Sequence, residues 1–254
     1  MKHWVSFSGG VGSAVSALVA HMNGYDFEMV MADTNIEDDD LWRFTKDVAK
    51  AVGKELVVLN TGKTPWDVFV EKRFIGNTRT AHCSTVLKTE PIMRFLDKYA
   101  HPDDPLVLGM NFGETDRLDR ARARWSPRPV KSLLCDHRVT NRQCDFILSL
   151  FGIKKPKLYG MGFPHNNCGG FCVKAGLKQF ATLLEKMPDR FEHHASEMQR
   201  VTDTIGPTAR PFLRRTQDGV TQYMNLAQFK VAYENGDLKV SPYDFGGCGC
   251  FTDD

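Results

Sequence analysis

A chain of 254 residues with 42% hydrophobic content can bury a full core, as one domain or as one domain with an appended lobe. Its formal net charge of +2 is too mild to mark a nucleic-acid binder, so any such argument has to rest on local charge. No segment approaches roughly 18 uninterrupted apolar residues, and the opening "MKHWVSFSGG" has no signal-like apolar stretch, so the expectation is a soluble, cytoplasmic protein with no membrane partner.

In chain order, "HWVSF" reads as a short buried strand that ends in Ser and Gly. The following "VGSAVSALVAHM" spaces Val11, Val15, Leu18, Val19 and Met22 at helical intervals. "FEMVMADT" is a second strand ending in Asp33 and Thr34. "DDDLWRFTKDVAKAVG" is an amphipathic helix with acids in its first turn and Gly53 past its end, and "KELVVLN" is a third strand. Then come "TPWDVFVEKRF", a helix "STVLKTEPIMRFLDKYA" interrupted early by Pro91, and a fourth strand "PLVLGM" running into the polar "NFGETDRLDRARARW". "NRQCDFILSLFG" is a helix closed by Gly152. Cys135 is placed on a strand and Cys144 on a helix face, both as small buried hydrophobes.

Beyond residue 155 the pattern becomes turn-rich, followed by the helices "AGLKQFATLLEKM" and "FEHHASEMQR" and an irregular tail. Strands alternating with helices predict an α/β fold, a parallel twisted sheet with helices on both faces. The expected division is a nucleotide-binding α/β core over 1–155 and a helical, irregular, cysteine-bearing region over 156–254. The sequence contains no internal repeat.

The stretch "SFSGGVGSA" sits where strand turns to helix. Backbone N–H groups in such a turn point outward together, and the helix N-terminus adds roughly half a positive charge, so the turn can hold an anion without a cationic side chain. Gly9, Gly10 and Gly12 permit the close approach, and Ser8 and Ser13 supply hydroxyls. The spacing has neither the Lys-Ser/Thr ending of a Walker loop nor the G-x-G-x-x-G of a dinucleotide fold. Asp33 and Thr34, at the carboxyl edge of the second strand, are further candidates for the ligand site.

The segment resembles the PP-loop, Ser-Gly-Gly-x-Asp-Ser, of N-type ATP pyrophosphatases, with Gly12 standing where that family usually has Asp. "HCSTVLKTEPI" looks like the Cys-x-x-x-x-Lys-x-x-Pro segment of the phosphoadenosine phosphosulfate (PAPS) reductase family. "GMNFGETDRLDRAR" is similar to its Gly-Leu-Arg-x-x-Glu-Ser-x-x-Arg segment, with Glu114 and Arg117 matching and Asn111 replacing the first Arg. "KKPKLYGMGFPHNNCGGFC" is similar to its closing Pro-x-Leu-Tyr-x-x-Gly-Phe-x-x-x-x-Cys-x-x-Cys region. Four segments in the same order over residues 4 to 175 resemble the PAPS reductase-like branch of the PP-loop superfamily.

The resemblance implies an adenine nucleotide alpha hydrolase-like sheet, with the nucleotide at its carboxyl edge. ATP with Mg2+ would then be held by Ser6, Phe7, Ser8, Gly9, Gly10, Gly12, Ser13, Asp33 and Thr34. Lys88, Arg117 and Asp33 are the catalytic candidates; Lys and Arg can neutralise phosphate charge and support a leaving pyrophosphate.

The seven cysteines suit metal or redox chemistry better than a secreted disulfide framework. Cys168 and Cys172 flank "GGF", where two glycines let the backbone wrap tightly. Adding Cys83, which the resemblance places near the nucleotide, gives three thiolates, and Cys248 or Cys250 of the tail can supply a fourth. Four thiolates fit a 4Fe-4S cluster or tetrahedral zinc, and the Cys-x-x-x-Cys spacing does not separate the two; plain thiols are the third reading. The cluster is favoured because PP-loop enzymes that pass sulfur to nucleic acid resemble this arrangement. His165 is a ligand, a donor behind a ligand, or a hydrogen-bonded loop histidine.

Residues 116 to 142 concentrate eight cations against three acids, which could hold a polyanionic substrate, and "FLRR" (Phe212 to Arg215) is a weaker second contact. The leading functional expectation is ATP-dependent adenylation for sulfur transfer, of the tRNA-thiolation or DNA-phosphorothioation type. A cysteine desulfurase or a thiol reductant protein would be its partner. The alternatives are a PAPS or adenosine phosphosulfate reductase, for which the tail lacks the Glu-Cys-Gly-x-His motif, and a non-catalytic nucleotide-binding redox module.

Overall fold

The computed structural model describes residues 1–217 and 220–247. Strand β1 (His3–Ser6) is buried along its length, and its alternate residues face opposite layers: Val5 joins one core cluster and Trp4 another. Strand β2 (Phe27–Asp33) divides in the same way, with Met29 and Met31 on one side and Val30 and Ala32 on the other. With β3 (Leu56–Asn60), β4 (Leu106–Val107) and β5 (Val130–Lys131) they form a five-stranded, all-parallel sheet in the order β3-β2-β1-β4-β5. The strand order reverses at β1, which pairs with β2 on one side and β4 on the other. In open parallel sheets ligands collect at such a reversal, outside the carboxyl ends of the strands.

On one face lie α1 (Val11–Met22) and α2 (Asp39–Val52). Asp38 caps α2 by accepting from the Asp40 N–H, and Gly53 closes it at φ 64°. Helix α3 (Pro65–Lys72) starts with a capping box between Thr64 and Asp67 and has Pro at its first position. The opposite face is covered by a one-turn α4 (His82–Ser84), a π-helical turn over Thr85–Thr89, α5 (Glu90–Tyr99) and α6 (Thr115–Trp125). Of these, α5 and α6 put Ile92, Leu96, Leu118 and Trp125 into the second cluster. The chain then returns to the first face through α7 (Leu133–Asp136) and α8 (Asn141–Leu150).

A one-turn α9 (Lys157–Gly160) and a 3-10 turn over Asn167–Gly170 lead to α10 (Leu177–Lys186) and α11 (Pro188–Ile205). An antiparallel hairpin, β6 (Leu213–Gln217) with β7 (Val220–Met224), and α12 (Leu226–Glu234) follow. A third cluster joins Trp66 and Phe69 of α3 to Phe171, Phe180, Phe191 and Phe229. These four phenylalanines are fully buried, and at roughly 1.5–3 kcal/mol each they hold the loop carrying Cys168 and Cys172 firmly against the helices.

The structure corrects several expectations. The polar run after β4 is helix α6, because Leu118, Ala121 and Trp125 recur on one side among the arginines. Pro91 does not end the helix; the helical run continues from His82 to Tyr99, with the π-helical turn Thr85–Thr89 directly before the Glu90–Pro91 start of α5. Cys135 lies in α7, not on a strand. The tail expected to be irregular contains the β6–β7 hairpin and α12, whose capping box is formed by Asn225 and Gln228. No helix among the described residues is long and apolar enough to cross a membrane.

Candidate nucleotide site and thiol cavity

The reversal of strand order opens a cleft of about 770 Å³. Ser6, Ser8, Gly10, Gly12 and Ser13 line it from the turn after β1, and Gly109 and Asn111 from the turn after β4. Gly10 caps α1 without a side-chain hydrogen bond, and the first turn of α1 has no acid, so the positive end of the helix faces the cleft. The Ser8 N–H and hydroxyl both meet the Ser13 hydroxyl, at 3.1 and 3.2 Å, and Ser13 Oγ donates to the Gly10 carbonyl at 2.9 Å. The serines thus brace the turn.

Gly12 is dictated by packing. A Cβ added there would lie 2.2 Å from the Gly109 carbonyl oxygen, so the two turns touch backbone to backbone. The family's Asp at this position has no room while Gly109 stays in place.

A second layer closes over the loop from the far end of the chain. Val11 N–H donates to Tyr159 Oη at 3.2 Å, and the buried Asn166 Nδ2 donates to the Gly9 carbonyl at 3.0 Å. Tyr159 is held in place because Arg43, paired with Asp40 and Asp47, also donates to the Lys154 and Lys155 carbonyls. Lys157 adds an ion pair to Asp38 at 3.1 Å.

The cationic side of the cleft comes from Lys88, Arg117, Arg142 and Lys155. Arg117 pairs with Glu114 at 2.8 Å, and the other Glu114 oxygen accepts from the Asn111 N–H and amide, so the acid fixes the guanidinium. His165 also lines the cleft, and its Nδ1 is buried with no hydrogen-bond partner. Burial, followed by the charges of Lys88 and Arg117, pushes its pKa down to about 4, so the imidazole is neutral at pH 7.

Lys88 sits in the π-helical turn and is buried. It lines the cleft and also a small apolar cavity of about 30 Å³ shared by Thr34, Cys83, Cys168 and Cys172. Its Nζ lies 3.4 Å from Cys168 Sγ. Cys168 adopts a left-handed backbone at φ 53°. Its N–H donates to Glu37 Oε2 at 2.6 Å, and Thr34 Oγ1 donates to Glu37 Oε1 at 2.8 Å. At Gly169, also left-handed at φ 58°, a Cβ would lie 2.4 Å from the Ile36 carbonyl, so the turn beside Cys168 admits no side chain there. Burial raises the Glu37 carboxyl pKa, opposed by Lys88 and by the bonds from Thr34 and Cys168.

Behind Phe171, His194 stacks on the ring at 4.3 Å and accepts from Trp66 Nε1 at 3.2 Å. Burial is the main cause lowering its pKa to about 3.

The structure therefore brings Ser6, Ser8, Gly10, Gly12, Ser13, Lys88 and Arg117 to one cleft. Phe7 packs in the core against Phe44, and Gly9 backs onto Leu41. Asp33 lies outside the cleft: the left-handed turn at Asn35 aims its carboxylate at the Asn35 N–H and at Asn60 Nδ2. Thr34 belongs to the thiol cavity. Cys83, Cys168 and Cys172 share that cavity, yet among the described residues no three His, Cys, Asp or Glu side chains converge as a metal-holding group. Cys248 and Cys250 lie outside the described residues.

The basic stretch divides. Arg117 and Arg142 line the cleft, whereas Arg122 and Arg128 bond backbone carbonyls and serve the fold. Sequence reasoning missed Glu37 and Tyr159. The only signal for either was position: an acid just after a strand's carboxyl end, and a tyrosine inside the closing motif.

These features define an α/β domain with a cleft at the reversal of strand order. Residues 2–118, a little under half of the chain, match the model of the phosphoadenosine phosphosulfate reductase domain. An uncharacterized protein of Methanocaldococcus jannaschii is 40% identical over 94 residues. That match spans 37% of this chain and 22% of the relative, about a fifth of its length. Among solved structures, a phosphate complex of PAPS reductase from Candida auris is similar at TM-score 0.46 and 12% identity, over 64% of this chain and 78% of that one. A predicted subunit of tRNA methyltransferase from Methanocaldococcus jannaschii is similar at TM-score 0.39 and 16% identity, over 59% and 76%.

Proposed function

We propose that the protein activates a substrate by adenylation for sulfur transfer. ATP binds in the cleft with magnesium, a substrate oxygen attacks the α-phosphorus, the bond to the bridging oxygen breaks, and pyrophosphate leaves. A sulfide-level sulfur nucleophile then attacks the activated carbon and displaces AMP. Nucleic acid is the acceptor class, and a cysteine desulfurase or thiol reductant protein is the partner that supplies sulfur or electrons.

The observation that carries this reading is that Lys88, among the described residues, is common to the phosphate cleft and the thiol cavity. One ammonium so placed meets phosphoryl oxygens on one side and a sulfur atom on the other. The α1 amides would hold phosphoryl oxygens, and Lys88 and Arg117 would offset the charge developing on pyrophosphate. Neutral His165 can accept or donate a hydrogen bond at a ligand atom without adding charge. Magnesium keeps most of its ligands from phosphate and water. Glu114 and Asp145 are the cleft-lining carboxylates able to complete its shell, each already beside a cation.

A 4Fe-4S cluster or zinc would take Cys83, Cys168 and Cys172 as ligands and supply redox or Lewis-acid chemistry. These side chains line one cavity without converging, so no step is drawn from such a centre.

Reduced protein given ATP, magnesium and candidate nucleic acids is expected to release AMP and pyrophosphate in equal amounts. Release of ADP instead, or no turnover with any acceptor, would count against adenylation. The match of residues 2–118 to a PAPS reductase domain favours a second reading, reduction of a sulfonucleotide. Thiol-dependent sulfite release from PAPS or adenosine phosphosulfate would move the assignment there.

A further inference from the structure

Among the described residues, none of the β6–β7 hairpin lines the cleft or the thiol cavity. Its register pairs Leu213 with Met224, Arg214 with Tyr223, and Thr216 with Thr221. Strand alternation then sorts the side chains. Leu213 and Met224 are buried, while Arg214, Thr216, Thr221 and Tyr223 share the opposite, exposed face.

Arg210 lays its guanidinium over the Tyr223 ring at 5.3 Å from the centroid, and Tyr223 is still 46% exposed. Among the described residues no ion pair includes Arg210, Arg214 or Arg215. Residues 206–225 hold three arginines against one aspartate, an excess equal to that of the whole chain. On the other side of the ribbon, where Arg215, Gln222 and Met224 project, runs an open groove of about 420 Å³ that Tyr223 borders and that Gln228 and Ala232 of α12 close.

We propose that the ribbon face carrying Arg214, Thr216, Thr221 and Tyr223 binds a single strand of nucleic acid, with a base stacked on Tyr223 and the backbone phosphates met by Arg210 and Arg214. An exposed π-face beside unpaired cations is the pairing that unstacked bases and their phosphates require. The Thr216 and Thr221 hydroxyls on the same face can bond base edges and sugar. The proposal deepens the reading above, since a nucleic-acid acceptor has to be gripped outside the cleft. It rests on that reading for its purpose alone.

The test is fluorescence anisotropy of the full chain with short labelled oligo(U) RNA and oligo(dT) DNA over a range of salt. The single strand is expected to bind, and the RNA and DNA arms show which source the strand comes from. Arg210→Ala with Arg214→Ala is expected to weaken binding about tenfold or more and to flatten the log–log salt slope by about 1.4, at roughly 0.7 per phosphate contact. Tyr223→Ala is expected to lose about tenfold, and Tyr223→Phe to stay within about twofold.

ATP titrations of the same variants are expected to match the wild type. Failure at the ribbon is thereby separated from failure of the cleft. Absence of strand binding by the wild type, or undiminished binding by the double variant and Tyr223→Ala, would overturn the proposal. So would polyglutamate binding with the same variant dependence in place of the oligonucleotides, which would assign the face to a protein partner.

Discussion

The cleft and the thiol cavity meet at Lys88 but are built on opposite principles. The cleft is wide and made largely of main chain, with two glycine turns touching and a helix end left uncapped. The cavity is small and apolar and is made of side chains from four separated segments, represented by Thr34, Pro65, Cys83 with Lys88, and Cys168. Backbone recognition tolerates side-chain change but not added bulk. The cavity depends instead on aromatic packing behind it, with Phe171 and His194 holding the thiol loop in place.

The sharpest way to break this contrast is to give Gly12 a side chain. Gly12→Asp supplies the residue usual in the PP-loops this turn resembles but drives a Cβ into the Gly109 carbonyl. Calorimetry is expected to show nucleotide binding abolished, and denaturant titration a loss of about 1–3 kcal/mol. Gly160→Ala, where a Cβ meets nothing within 4 Å, is the matched control and should leave both unchanged. Wild-type affinity in Gly12→Asp would mean that the two turns separate easily.

Next in size is Lys88→Met, which removes the charge common to both regions. AMP formation is expected to fall by about a hundredfold, in the range seen when one transition-state donor is removed. A rate within about threefold of wild type would place the essential cation elsewhere.

Two histidines, His165 in the cleft and His194 behind the thiol loop, set a pH dependence, and buried His3, whose pKa burial also lowers, adds to it in the same direction. Unfolded histidines titrate near 6.5, whereas folded His165 and His194 titrate near 4 and 3. Below pH 6.5 the unfolded chain therefore binds more protons than the folded one, and stability falls with pH until about 4 for His165 and 3 for His194. Above pH 6.5 neither contributes to the slope. Each costs up to about 1.4 kcal/mol per pH unit within its window. Urea titrations from pH 7.5 to 4.5 are expected to show the midpoint dropping, and a shallower drop in His194→Gln. A flat profile would contradict the buried, neutral assignment.

The smallest effect is expected from Asp33→Asn. Its carboxylate serves the Asn35–Asn60 turn, so nucleotide affinity should change by less than about twofold. A large loss would return Asp33 to the cleft.

The same contrast explains what was legible in the sequence. Alternation in "HWVSF" and "FEMVMADT" gave both strands their two buried faces, and the glycine run after β1 located the cleft, because local geometry sets both. Helix α6 was hidden by its arginines, since only Leu118, Ala121 and Trp125 carry the periodic signal. The hairpin was hidden because strand β7 is exposed at every position but its last, which leaves no buried alternation to read. Glu37 and Tyr159 act through partners 131 and 148 residues away, a separation that spacing along the chain cannot show. Gly12 read as a departure from a motif, and the reason for it lies across the cleft in Gly109.

The most direct test of the junction at Lys88 is nucleotide protection of Cys168, read by mass spectrometry after brief alkylation of the reduced protein. Saturating ATP with magnesium is expected to change the rate of Cys168 labelling severalfold in the wild type and to leave it unchanged in Lys88→Met. Equal rates with and without nucleotide in the wild type, under conditions where calorimetry shows the cleft filled, would contradict a shared lysine linking the two regions.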